Sequence, residues 1–278
     1  MKSYFSGYLT QTEVQTHTSR RNITKVAIII DTHQKFNSLC SVLEDIGRQK
    51  LYQTKIDIYI VDNASDNRTQ AYLQKFNFAA IKVLKPGKKL RESGCFYDGL
   101  QYVSKLKYDY IWLLDDDVHL DPLALSTLIT TLQDHDEVGL VGSQFYQRKE
   151  PNTIQELGRL INDNYAPLKT KFGKENHILN EEILGNPPYI KVENCAAKSL
   201  LLRHRLLPHI GVFKDFCLHF DDVDLCLRVK KAGWIIAINP SSIVWQNSPE
   251  LNLWSWIDYY NQCSLYYWQK YSPDILEQ

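Results

Sequence analysis

Two acidic blocks draw attention for the chemistry their residues could share. The first is Asp115-Asp116-Asp117, which closes the apolar run Tyr110-Ile111-Trp112-Leu113-Leu114. The second is Phe220-Asp221-Asp222-Val223-Asp224, far down the chain. Adjacent carboxylates repel one another, so folding them together is costly unless a cation or strong hydrogen bonds neutralise them. A hard divalent ion, Mg²⁺ or Mn²⁺, suits an all-oxygen set. Such ions bind through one or two carboxylates plus substrate phosphates. The plainer alternative for the first block is a solvated acidic turn ahead of a helix opened by Pro122. For the second, Asp221 or Asp222 caps the helix that starts there, since Asp is a favoured N-cap. His119 and His219 flank the blocks, and a lone histidine is more often structural than a ligand.

The elements that must position these residues alternate. Lys25–Ile30 reads as a buried strand closed by Asp31-Thr32, and Phe36–Lys50 as a helix with Leu39, Val42, Leu43 and Ile46 on one face. Strand Ile56–Val61 ends at Asp62-Asn63. A helix over 68–76, a strand over Ile81–Leu84, a basic loop over 85–94 and a helix over 95–105 lead into the Asp-rich strand. This alternation predicts a mostly parallel, Rossmann-like sheet flanked by helices. Ligands of such sheets sit beyond the carboxyl ends of the strands, so Thr32, Asp62 and Asp115 are expected at one crevice. Further on come a helix over 123–133 and a strand over 138–141. Residues 143–188 read as a long loop region that could shape an acceptor site. Strands follow at 189–192 and 199–202, a helix at 223–231 stopped by Gly233, strands at 234–238 and 242–245, and an aromatic-rich helix at 253–271.

The chain has 278 residues, 44% apolar and 23% charged, enough for a sizeable core. Lys plus Arg equals Asp plus Glu at 32 each, so charge gives no argument for nucleic acid. No apolar run approaches a membrane span, and the N-terminus lacks the apolar core of a signal peptide. Six cysteines without a Cys-x-x-Cys pair fit reduced thiols in the cytoplasm.

In their order the motifs resemble the family-2, GT-A-fold glycosyltransferases. The likeness rests on the strand ending in Asp31-Thr32 and on Val61-Asp62-Asn63-Ala64-Ser65, near the family's V-D-N-x-S. Leu114-Asp115-Asp116-Asp117-Val118 looks like its D-x-D element. Phe220 to Gly233 looks like its F-(D/E)-D-x-D-x-x-x-R-x-x-x-x-G block. The triple Asp and the Phe-Asp-Asp block are most similar to the galactofuranosyl- and rhamnosyl-type branch. The resemblance implies an inverting transfer of a hexose or pentose from a UDP- or dTDP-linked donor to a glycan or lipid-linked glycan acceptor. The setting it implies is bacterial cell-surface polysaccharide synthesis, at the inner face of the cell membrane. By the family pattern Asp115 and Asp117 hold Mn²⁺ or Mg²⁺, and Asp116 lies near the ribose. Thr32, Asp62 and Asn63 line the nucleotide crevice. Asp222 is the base, with Asp221 in reserve, while Asp224 and Arg228 hold that loop in place or form a simple i,i+4 pair.

The chain departs from the pattern in two places. Where relatives place a metal-completing His, in a V-W-H-like sequence, this chain has Val244-Trp245-Gln246. Gln246 offers a carbonyl oxygen to the metal, or a water takes that position. The relatives' glycine-rich loop appears as Lys89-Leu90-Arg91-Glu92-Ser93-Gly94-Cys95-Phe96-Tyr97-Asp98-Gly99. Lys89 or Arg91 contacts the diphosphate as a cationic clamp, or the loop is a solvated basic stretch.

The expected organisation is an N-terminal polar arm at 1–22 and a GT-A domain at 23–252. The donor half of that domain spans 23–142 and the acceptor half 143–252. The C-terminal aromatic helix, 253–278, would act as a lid, a homodimer contact or a membrane-interface face. Two rivals stand beside the enzyme. One is a non-catalytic nucleotide-sugar-binding paralogue or partner subunit. The other is a nucleotidyltransferase, which would carry a glycine-rich loop where this chain has Asp31-Thr32-His33-Gln34-Lys35.

Overall fold

The fold comes from a computed structural model that describes residues 23–32, 35–62, 72–73, 79–85, 95–148, 154–156, 187–212 and 221–246. The expected N-terminal arm, most of the 68–76 helix, the basic loop after Lys85 and the C-terminal aromatic helix lie outside the described residues.

In chain order the elements are β1 (Thr24–Thr32), α1 (Phe36–Gly47), β2 (Thr54–Asp62), β3 (Ala80–Leu84) and α2 (Cys95–Val103). Then come β4 (Tyr110–Asp115), β5 (Val118–Leu120), α3 (Ala124–Asp134), β6 (Val138–Gln147) and β7 (Ile154–Glu156). The last are β8 (Ile190–Val192), β9 (Ser199–Arg203), the short α4 (Leu207–Ile210), α5 (Asp221–Lys231) and β10 (Ile235–Gln246). The strands form one sheet in the order β3-β2-β1-β4-β9-β6-β10-β5, with β7 on β6 and β8 on β10. The first four are mutually parallel. β9 runs antiparallel between β4 and β6, and β6 is parallel to β10.

Val26–Ile30 is fully buried, as a strand covered on both faces must be. Val26, Ile28 and Ile30 pack with Leu39, Val42 and Leu43 of α1 and with Leu125 and Leu128 of α3. Ala27 and Ile29 face the other way, toward Leu100 and Val103 of α2 and Leu225 and Val229 of α5. Burying each such side chain contributes roughly 1.5–3 kcal/mol. α2 lies very close to the sheet. A Cβ on Gly99 would stand 2.5 Å from Cγ2 of Ile29 and 3.0 Å from Cγ2 of Val61, so only glycine fits there.

A polar seam crosses the centre of the sheet. The Trp112 indole N–H of β4 donates to Ser199 Oγ of β9 at 3.1 Å. Ser199 and Ser143 of β6 are 2.7 Å apart, Ser143 and Ser242 of β10 are 2.8 Å apart, and Ser242 donates to the Ala124 carbonyl at 3.0 Å. All three serines are fully buried, and each is satisfied by its neighbours.

Three expectations need correction. The stretch after residue 142, read as loop, continues as strand to Gln147 and returns as β7. Val118–Leu120, given no element between the acids and Pro122, is a strand paired with β10. The two expected strands at 234–238 and 242–245 are one strand with a register shift between Asn239 and Ile243. Pro240 lies at that break. It lacks an N–H and so is confined to bulges and edges, which made one bent strand read as two.

Candidate functional site

The carboxyl ends of β1, β2 and β4 lie level. Parallel register sets Thr32 beside Asp62 and Asp31 beside Asp115. After Asp115 the chain turns through Asp116 and Asp117 and reverses into β5, which gathers three acids at one strand end.

Asp116 is 1% exposed, so its charge requires partners. Thr32, also buried, donates its hydroxyl to Asp116 Oδ2 at 2.7 Å. Lys35 donates to Oδ1 at 3.0 Å and stands 3.8 Å from Asp117 Oδ2. The Asp116 backbone N–H donates to Asp115 Oδ1 at 2.8 Å. Burial lowers the Lys35 ammonium's affinity for its proton, but Asp116, with Asp115 and Asp117, more than offsets this and raises it. For Asp115 the compensation falls short. Burial first, then Asp117 and Asp116, push its carboxyl up to about 7 from an ordinary 3.8, against the pull of Lys35 and Lys198. An acid held this far from its normal range marks a functional-site candidate.

Gln246 reaches the same cluster from the end of β10. Its Nε2 donates to Asp117 Oδ1 at 3.1 Å, and its Oε1 accepts from Lys198 Nζ at 2.6 Å. The expected metal-facing carbonyl is thus on a lysine. Among the described residues, no three of His, Cys, Asp and Glu converge as a closed metal cage. The carboxylates of Asp115 and Asp117 supply hard oxygen atoms of the chemical kind that Mg²⁺ and Mn²⁺ accept together with phosphate. The charge crowding at Asp115 is what such a cation would relieve. His119 is otherwise engaged. Arg148 donates to its Nε2, leaving Nδ1–H to face Asp45 Oδ2 at 3.2 Å.

Asp222 lies in the first turn of α5 and is 9% exposed; the side chain of Asp221 lies outside the described residues, as do Asn63, Lys89, Arg91 and His219. Asp62 is buried at the end of β2. Two turns into α5, Arg228 does more than form an i,i+4 pair. It donates to Asp224 Oδ2 at 2.9 Å and to the carbonyls of Ile210, Gly211 at 3.0 Å and Val212 at 3.2 Å. This ties the chain just before the second acidic block to the helix that carries it.

A short segment is bonded both to the end of β4 and to α5. The Lys198 carbonyl accepts from Asp115 N–H at 3.1 Å. Three residues earlier, the Cys195 carbonyl accepts from the Cys226 thiol, one turn beyond Asp222, at 3.8 Å. Glu193 pairs with Lys230 of α5. Three residues span at most about 11 Å of chain, so β4's acidic end and α5 are anchored to one stretch of backbone. A cavity of about 320 Å³ elsewhere, with Thr130, Thr131, Asn239 and Ser241 among its lining, shares no residue with the acidic blocks.

Lys35 and Lys198 were not singled out from the sequence. Lys35 follows the first strand by three residues, a spacing that offered a clue. Lys198 has no motif around it and reaches the site only because β9 inserts antiparallel beside β4.

A sheet of this order is shared with solved proteins of the GT-A fold. The sequence profile of glycosyl transferase family 2 matches residues 27–210, and the chain belongs to that family. A probable glycosyltransferase, YdaM of Bacillus subtilis (strain 168), is 21% identical over 235 residues, covering 83% of this chain and 52% of its own length. A mannosyltransferase of Pyrobaculum calidifontis, solved with GDP-Man and Mn²⁺, superposes with a TM-score of 0.57 at 14% identity, over 83% of this chain and 59% of its own. GalNAc-T7, solved with UDP, GalNAc and Mn²⁺, gives a TM-score of 0.66 at 11% identity, over 91% and 49%. The chain thus spans about half the length of the curated relative it matches. At these identities the structural likeness speaks to fold alone.

Proposed function

We propose that the chain is a metal-dependent inverting glycosyltransferase. It moves a hexose or pentose from a UDP- or dTDP-linked donor to a glycan or lipid-linked glycan acceptor in bacterial cell-surface polysaccharide synthesis, at the cytoplasmic face of the membrane. The galactofuranosyl- or rhamnosyl-type branch is part of this reading. The observation that carries it is the row of Thr32, Lys35 and the three aspartates at the level carboxyl ends of parallel strands, where α/β sheets bind ligands.

In this reading Asp115 and Asp117, with Gln246, hold Mn²⁺ or Mg²⁺. When bound, the ion supplies Lewis-acid stabilisation of the negative charge on the departing diphosphate. Thr32, Asp62 and Asn63 line the nucleotide crevice, and Lys89 or Arg91 approaches the diphosphate. Asp116 serves the ribose, whose hydroxyl exchanges with the half-exposed Lys35 at Oδ1. Asp222 accepts the acceptor's hydroxyl proton as the oxygen bonds to the anomeric carbon and the sugar–phosphate bond breaks, its electron pair leaving with the diphosphate. Asp221 stands in reserve.

Asp222→Asn is expected to lower transfer by at least about a hundredfold, the range of general-base catalysis, while donor binding persists. Wild-type turnover by that variant removes Asp222 from the role. The second reading is a non-catalytic nucleotide-sugar-binding paralogue, favoured by Gln246 and its carbonyl's bond to Lys198. Slow release of UDP or dTDP from the wild-type chain without an acceptor product supports that one.

A further inference from the structure

Two ammonium groups stand among the three carboxylates, and they are held differently. Lys35 is paired with Asp116 at 3.0 Å. Lys198 makes no ion pair among the described residues; its Nζ donates to the neutral carbonyl oxygen of Gln246 at 2.6 Å. An ammonium carries three donors and no acceptor. The root of the side chain is fixed. Its own carbonyl accepts from Asp115 N–H at 3.1 Å, and fully buried Ser199 follows it at the start of β9.

We infer that Lys198 is a donor-binding residue. Its ammonium leaves Gln246 for the donor's diphosphate, and the carbonyl it frees turns to the divalent cation. The inference rests on the reading of the site given above. A phosphate oxygen is a better partner for an ammonium than a neutral amide carbonyl, because both groups are then charged. The released Gln246 oxygen is a hard donor of the kind Mg²⁺ and Mn²⁺ accept. The charges agree. With Asp115 ionised, three carboxylates against two ammonium groups leave one negative charge, and a divalent cation turns this to one positive charge facing the diphosphate.

This arrangement makes Lys198 a competitor of the metal when phosphate is absent and its ally when phosphate is bound. Removing the lysine therefore has opposite effects on the two ligands. A residue with a merely structural role would weaken both or neither.

The test compares wild type with Lys198→Met, Lys198→Gln and Lys198→Arg. Mn²⁺ alone is titrated by electron paramagnetic resonance; UDP, dTDP and GDP are titrated by calorimetry in Mg²⁺. The expected result is that the Met and Gln variants hold Mn²⁺ alone more tightly than wild type. They bind the preferred nucleoside diphosphate about tenfold or more weakly, the scale of one hydrogen bond to a charged group. Lys198→Arg keeps the charge and most of the nucleotide affinity. Unchanged nucleotide affinity in both neutral variants, or weaker Mn²⁺ binding in both, overturns the inference. A wild-type chain that binds none of the three nucleotides overturns the proposed function and this inference with it.

Discussion

With its carboxyl pushed up to about 7, Asp115 titrates in a range where ordinary carboxylates are fully ionised. The sign of the resulting pH dependence follows from linkage. Between about pH 4 and 7 the folded chain holds a proton at Asp115 that the unfolded chain has released. Its contribution to stability is therefore complete below the ordinary carboxylate range and is lost as pH rises through about 7. In chelator, Tm is expected to fall from pH 5 to pH 8, and Asp115→Asn should flatten that slope. A wild-type Tm that does not change over the same range would show that Asp115 is not crowded in this way. At this scale the sequence was informative about the acids and silent about their counter-charges. A run of aspartates announces itself within one strand end. Lys198 contributes only through a neighbour brought in by antiparallel pairing, and that pairing has no local signature.

Among the elements, α5 is where a side chain secures geometry. Arg228 serves Asp224, itself 4% exposed, and three carbonyls at the end of α4 and just beyond it. Arg228→Met would take from the buried Asp224 carboxylate the guanidinium that bonds it at 2.9 Å, a loss of about 3 kcal/mol or more. Denaturant unfolding should register it. Arg228→Lys should recover little, because a point charge cannot serve four acceptors as a planar fork does. A Lys variant as stable as wild type would reduce Arg228 to a surface ion pair. The elements were largely legible from their patterns. Val26–Ile30 is unbroken because it is covered twice, and α1 shows its apolar stripe. Where tertiary context decides, the reading failed. β5 is only three residues long and has little pattern to read, and Pro240 disguised the continuity of β10.

For the whole molecule, the candidate site is a meeting of sheet ends, and ligand binding should stabilise the fold by mass action. A nucleotide-sugar at a hundred times its Kd would contribute about 2.7 kcal/mol. A thermal-shift panel of UDP-, dTDP- and GDP-sugars with Mn²⁺ is expected to raise Tm for one base above the others, and EDTA should abolish the rise. No shift with any donor at millimolar concentration would remove the nucleotide-sugar reading. The buried serines bear on this larger scale too. The indole of Trp112 can only give a proton, and the carbonyl of Ala124 can only receive one. Ser199, Ser143 and Ser242 between them therefore have a single permitted orientation, each hydroxyl pointing onward from β4 toward α3. They form a one-way row of aligned dipoles, and replacing any one serine by alanine would strand the donor just before the gap: the Trp112 indole, the Ser199 hydroxyl or the Ser143 hydroxyl.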